Sequence, residues 1–73
     1  MSLNQQDYIN FLINEARRLL ITLNSDFYKT LYVFIKSSEG ISGFETFQKL
    51  EPNKVGVYKM PKLENIFRRI FDI

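Results

Sequence analysis

The chain contains neither cysteine nor histidine, so no disulfide and no zinc site built on those ligands can staple it. That absence constrains the fold more than any motif does. With 73 residues, burial and chain entropy nearly cancel, and a domain this small usually relies on a staple or on self-association. The core material is unusual too: a single alanine, Ala16, stands against 23 Ile, Leu and Phe residues. Large side chains on short elements must therefore fill the interior. A surplus of them fits a homo-oligomer, in the first instance a dimer.

Composition places the chain among globular sequences, at 45% hydrophobic and 25% charged residues, rather than among disordered ones. The longest apolar run, Leu31-Tyr32-Val33-Phe34-Ile35, is far shorter than the roughly 20 residues that span a bilayer. No membrane attachment is expected, and the first residues lack the basic and apolar regions of a signal peptide. A cytoplasmic location is the default expectation. Net charge is +2, unevenly distributed. Between residues 54 and 69, Lys54, Lys59, Lys62, Arg68 and Arg69 face Glu64 alone, a stretch suited to an acidic partner or simply to solvent.

Periodicity predicts an all-α domain over residues 1–73, a small bundle of three or four helices with an irregular or short β-like segment near 51–60. The first helix opens at Ser2 with Gln5, or at Asn4 as a simple cap. Its stripe is Ile9, Leu12, Ile13, Ala16, Leu19, Leu20 and Leu23 at three- and four-residue spacing. Tyr8, Phe11 and Ile21 fall off that stripe, which points to contacts on more than one side. Asn24-Ser25-Asp26 breaks the chain and caps the next element. Residues 27–36 favour a strand by propensity. Their apolar residues do not alternate, however, and Lys29-Thr30 and Lys36-Ser37 recur at helical spacing. The reading is a helix over about 26–38, ended by Gly40 in the left-handed conformation, with a strand as the alternative.

Ser42 and Glu45 then spell an S-x-x-E capping box for a short helix with Phe44, Phe47 and Leu50 inward. Glu51-Pro52-Asn53 stops it. Val55 and Val57 alternate like a short strand. Pro61 fits the first position of a last helix, whose Leu63, Ile66, Phe67, Ile70 and Phe71 follow the i, i+3, i+4, i+7, i+8 rule. Such a stripe beside Lys62, Arg68 and Arg69 suits an interfacial membrane helix, but in a small protein it is more often the wall of the core.

Catalysis is not expected. Glu39, Glu45 and Glu51 lie six residues apart across a turn, nothing marks a base for Ser37, Ser38 or Ser42, and no phosphate-binding glycine motif occurs. No cofactor is expected either. Gly40-Ile41-Ser42-Gly43 has the G-x-x-G spelling of the KH loop that clamps a nucleic-acid backbone. Here Glu39 and Glu45 flank it with charge that repels phosphate, and a C-cap glycine before an N-cap serine accounts for the same letters.

Two functional classes remain. The first is a non-enzymatic protein-interaction or oligomerisation module, with a second copy or another protein as partner. Its candidate anchors are Phe11, Ile21, Tyr28 and Tyr32, large apolar residues left over once each helix has one buried stripe. The second rests on residues 41–64, where Phe44, Phe47 and Leu50, then Val57-Tyr58-Lys59 and Leu63-Glu64, resemble the helix-turn-helix of winged-helix and related regulators. That resemblance implies a small DNA-binding regulator. Its second helix would reach base edges, with Asn53, Lys54 and Lys59 as contact residues.

Overall fold

A computed structural model describes residues 3–57 and 61–71. Four α-helices follow one another: α1 (Gln5–Arg18), α2 (Ser25–Lys36), α3 (Ser38–Gln48) and α4 (Pro61–Ile70), with a 3-10 helix at Pro52–Val57. No strand occurs among the described residues. The all-α expectation holds, and α2 is a helix rather than the alternative strand. The segment suspected of β character winds instead into the 3-10 turns, and residues 58–60 of it lie outside the described residues. The Cα radius of gyration is 11.7 Å, close to the roughly 11 Å of a folded chain this long.

Helix α1 begins at Asn4. Its side-chain oxygen accepts the Asp7 amide at 2.9 Å, and the Asp7 carboxylate accepts the Asn4 amide at 2.9 Å. Two orphan donors are thereby satisfied reciprocally. Asn4 is thus the cap, with Asp7 rather than Gln5 at work, while Ser2 lies outside the described residues. The buried face of α1 is Tyr8, Phe11, Leu12 and Ala16. It is rotated from the expected stripe toward the larger aromatic side chains, leaving Ile9 and Ile13 half-buried.

The helix also stops earlier than the stripe suggests. Ile21 donates its amide to Ala16 O at 2.9 Å and Leu20 to Arg17 O at 3.0 Å. These are the two bonds of a Schellman ending, and Leu20 sits at the position that reverses the chain, with φ +62°. Leu23 still packs against the core, but from the connection rather than from a helix.

Asn24 restarts the chain by accepting the Phe27 amide at 2.9 Å. On α2, Phe27, Leu31 and Phe34 occupy one face at i, i+4 and i+7 and are buried. One residue, Ser37, separates α2 from α3. Its hydroxyl donates to Phe34 O at 2.6 Å and accepts the Gly40 amide at 3.1 Å, so it ends one helix and starts the next. This corrects two expectations. Gly40 is not a left-handed C-cap, since no glycine among the described residues has positive φ. Nor is Ser42 an N-cap, because it lies inside α3, where its carbonyl accepts the Thr46 hydroxyl at 3.2 Å. Ser37 has already done both jobs five residues earlier.

Gly40 is needed for a different reason. A Cβ there would lie 2.8 Å from the Phe34 carbonyl carbon and 3.0 Å from Ile35 Cα, and closer still to the Phe34 oxygen. The lack of a side chain lets α3 fold back tightly on the end of α2. Tyr8, fully buried, donates its hydroxyl to Gly40 O at 3.1 Å and ties α1 to the same spot.

The core is an aromatic relay. Tyr8 meets Phe44 and Phe47 with ring centroids 5.3 and 5.4 Å apart, and Phe11 meets Phe47 at 5.3 Å. On the other side Phe34 meets Phe67 at 5.9 Å, Phe67 meets Phe71 at 5.4 Å and Phe71 stacks on Phe27 at 5.1 Å. These separations are those of favourable ring pairs. Helix α4 supplies Ile66 and Phe67 to the interior, as its spacing predicts.

Candidate interaction surface

What the core leaves outside is concentrated around α2. Leu20 is 89% exposed, Val33 69%, Tyr32 62%, Ile41 51% and Tyr28 48%. Helical geometry explains the α2 members. With Phe27, Leu31 and Phe34 inward, Tyr28 and Tyr32, one turn apart, flank one side of the solvent arc. Asp26, Thr30 and Val33, at i, i+4 and i+7, share the other. Tyr32 lies beneath the Lys36 ammonium, 4.1 Å from its ring centroid, and the Tyr28 ring meets Phe27 edge-on at 5.1 Å. Both tyrosines are therefore steadied while remaining accessible, as suits amphipathic contact residues.

Beside the Asp26 edge an open groove of about 400 Å³ lies between the α1–α2 connection and the end of α4. Ile21, Phe27, Ile70 and Phe71 give it an apolar lining, Asn24, Asp26 and Thr30 a polar one, and Leu20 stands at its lip.

The sequence-derived anchors are thus divided by the structure. Tyr28 and Tyr32 are at the surface. Phe11 is only 6% exposed and belongs to the core of this one chain. Ile21 is half-buried and lines the groove. Phe11 was separable from the others only by knowing how α1 is rotated about its axis. Leu20, Val33 and Ile41 were missed. Leu20 reads from sequence as one more residue of the α1 stripe, and only the chain reversal expels it.

Of the nucleic-acid candidates, Asn53 and Lys54 are exposed on the 3-10 helix, and Lys54 pairs with Glu51 at 3.5 Å. Lys59 lies outside the described residues. Of the proposed second helix of a helix-turn-helix, Val57 belongs to the 3-10 segment and Leu63-Glu64 to α4 (Pro61–Ile70), while residues 58–60 lie outside the described residues. The basic C-terminal stretch is partly neutralised within the chain. Arg69 pairs with Glu39 at 2.9 Å, and Glu64 with Arg68 at 3.1 Å and Arg18 at 3.4 Å. Glu64 is accordingly held below its ordinary carboxylate value by hydrogen bonds from Arg68 and then Arg18. The Arg18 guanidinium is raised, chiefly by its hydrogen bond to Glu15.

Among the described residues no group of carboxylates is placed to hold a metal ion, and no helix is long and apolar enough to cross a membrane. No known family model, curated protein or solved structure matches the chain.

Proposed function

We propose that the chain is a non-enzymatic interaction module that self-associates, in the first instance as a homodimer, through the exposed side of α2. The observation carrying this reading is that Tyr28 and Tyr32 stay at the surface although eleven other apolar residues among those described are buried in the core. The accessible surface, 5152 Å², exceeds the roughly 4,700 Å² expected for a monomer of 8.7 kDa. An interface of ordinary size hides about 800 Å² per partner, about a sixth of that surface. On so small a protein such a patch spans the whole solvent arc of α2, from the tyrosines to the groove. The cytoplasmic location expected from sequence belongs to the same proposal.

Sedimentation equilibrium of the full chain at low and high salt tests it. A largely apolar contact gives a dimer whose dissociation constant changes far less with ionic strength than that of a complex held by phosphate contacts. The double substitution Tyr28→Ala/Tyr32→Ala weakens it by about tenfold or more, as loss of aromatic anchors does. A chain that stays monomeric up to millimolar concentration refutes the reading. Binding to mixed duplex DNA tighter than about 10⁻⁶ M, with a log–log salt slope of roughly −3 to −5, would put the regulator reading first. In that case substituting Lys54 and Lys59 by alanine would lower the affinity and flatten the slope.

A further inference from the structure

We infer that Leu20 is a docking residue, and that the groove beside it receives Leu20 of a second copy of this chain. The inference rests on the self-association proposed above and names the parts that meet.

Leu20 serves the isolated chain badly in two independent respects. It holds a φ of +62°, where a Cβ crowds the following carbonyl and glycine is the ordinary occupant. It also exposes 89% of a large apolar side chain to water. The Schellman bonds that end α1 use only its backbone, so the side chain contributes nothing to the turn that strains it. Strain held in a surface residue points toward use of that residue in binding.

The second copy is singled out by what lies around Leu20. Projection and recess share one rim, because Leu20 itself lines the groove, which has an apolar side of Ile21, Phe27, Ile70 and Phe71 and a polar side of Asn24, Asp26 and Thr30. A two-fold axis beside that rim seats each Leu20 in the other copy's groove at once, the self-complementary arrangement that closes a dimer. Charges follow the same division. Among the described residues the side chain of Arg17, one turn before Leu20, bonds only the neutral Asn14 side chain, at 3.4 Å. Asp26, on the groove wall, makes no ion pair among the described residues. Exchange about the axis brings the cation flanking each projection to the carboxylate bordering each recess, so two Arg17–Asp26 pairs form across one interface. A net charge of only +2 puts little repulsion in the way. Val33, continuing the Asp26 edge along α2, extends the apolar contact.

The test is sedimentation equilibrium of the full chain and its variants, with thermal unfolding measured at a dilution where all are monomeric. Leu20→Gly removes the projection while relieving the backbone. It is expected to weaken the dimer about tenfold or more and to leave the monomer melting at the same temperature or higher, so failure to fold cannot mimic the result. Arg17→Asp and Asp26→Arg each weaken dimerisation, and the two together restore it. A wild-type dimer that Leu20→Gly and both charge reversals leave intact, while Tyr28→Ala/Tyr32→Ala dissociates it, overturns the Leu20 seat and leaves the self-association reading standing. A wild-type chain that never dimerises overturns both.

Discussion

Replacing Gly40 by alanine sets two large effects against each other. At an ordinary helix-interior site the change gains about 1 kcal/mol from helix propensity. Here the added methyl would enter the backbone at the end of α2, 2.8 Å from the Phe34 carbonyl carbon and 3.0 Å from Ile35 Cα. Backbone held in two helices joined by a single residue cannot swing aside as a long side chain would. Forced overpacking of this kind costs about 1–3 kcal/mol or more. Moving α3 outward also stretches the Tyr8 hydroxyl bond to Gly40 O, 3.1 Å in the native chain, which adds about 1 kcal/mol.

The net expectation is a loss of about 2–3 kcal/mol, with the upper end of the packing cost and the lost bond outweighing the propensity gain. For a 73-residue chain total stability is only about 4–11 kcal/mol, and the melting temperature should fall by roughly 10–20 °C. Urea unfolding followed by far-ultraviolet circular dichroism measures it, with the slope unchanged if only stability moves. Tyr8→Phe made in both backgrounds checks the mechanism, since it should cost less once Gly40→Ala has already disturbed the bond. An alanine variant as stable as the parent or more so, with Tyr8→Phe equally costly in both, would refute the close approach of α3 to α2.

Two further expectations concern capping and charge. Ser37→Ala removes the hydroxyl that serves both α2 and α3 and should lower stability by about 1–2 kcal/mol in urea unfolding. Ser42→Ala, at the serine of the apparent S-x-x-E box, should change it by no more than about 0.5 kcal/mol. Glu64 is lowered from its ordinary value of 4.5 by Arg68 and Arg18, so its contribution is fully present above that value and lost as pH falls through the lowered one. The stability gap between wild type and Glu64→Gln should therefore be constant at neutral pH, close on acidification, and shrink in high salt. A gap that widened in acid would contradict the ion-pair assignment.

The sequence by itself determined the class of fold and several of its ends. Ile66, Phe67, Ile70 and Phe71 recur every three or four residues and admit one inward face, which α4 presents. Asn4 and Asn24 announce helix starts because their short side chains reach an amide three residues on, a local matter that no neighbour alters. Lys29-Thr30 and Lys36-Ser37, seven apart, likewise carried the helical spacing that overrode the strand propensity of residues 27–36.

Only the tertiary structure decided how far α1 runs, how it is turned, and which glycine and serine matter. A helix with apolar residues on more than half its circumference can rotate about its axis at little local cost. What fixes α1 is that Tyr8 and Phe11 find Phe44, Phe47 and the Gly40 carbonyl on α3, partners more than thirty residues away. Once that face is inward, Phe11 leaves the surface. The chain must then turn back after Arg18, and Leu20 is carried out into solvent. The candidate surface is the remainder of this packing, and a remainder is visible only after every helix has chosen its face.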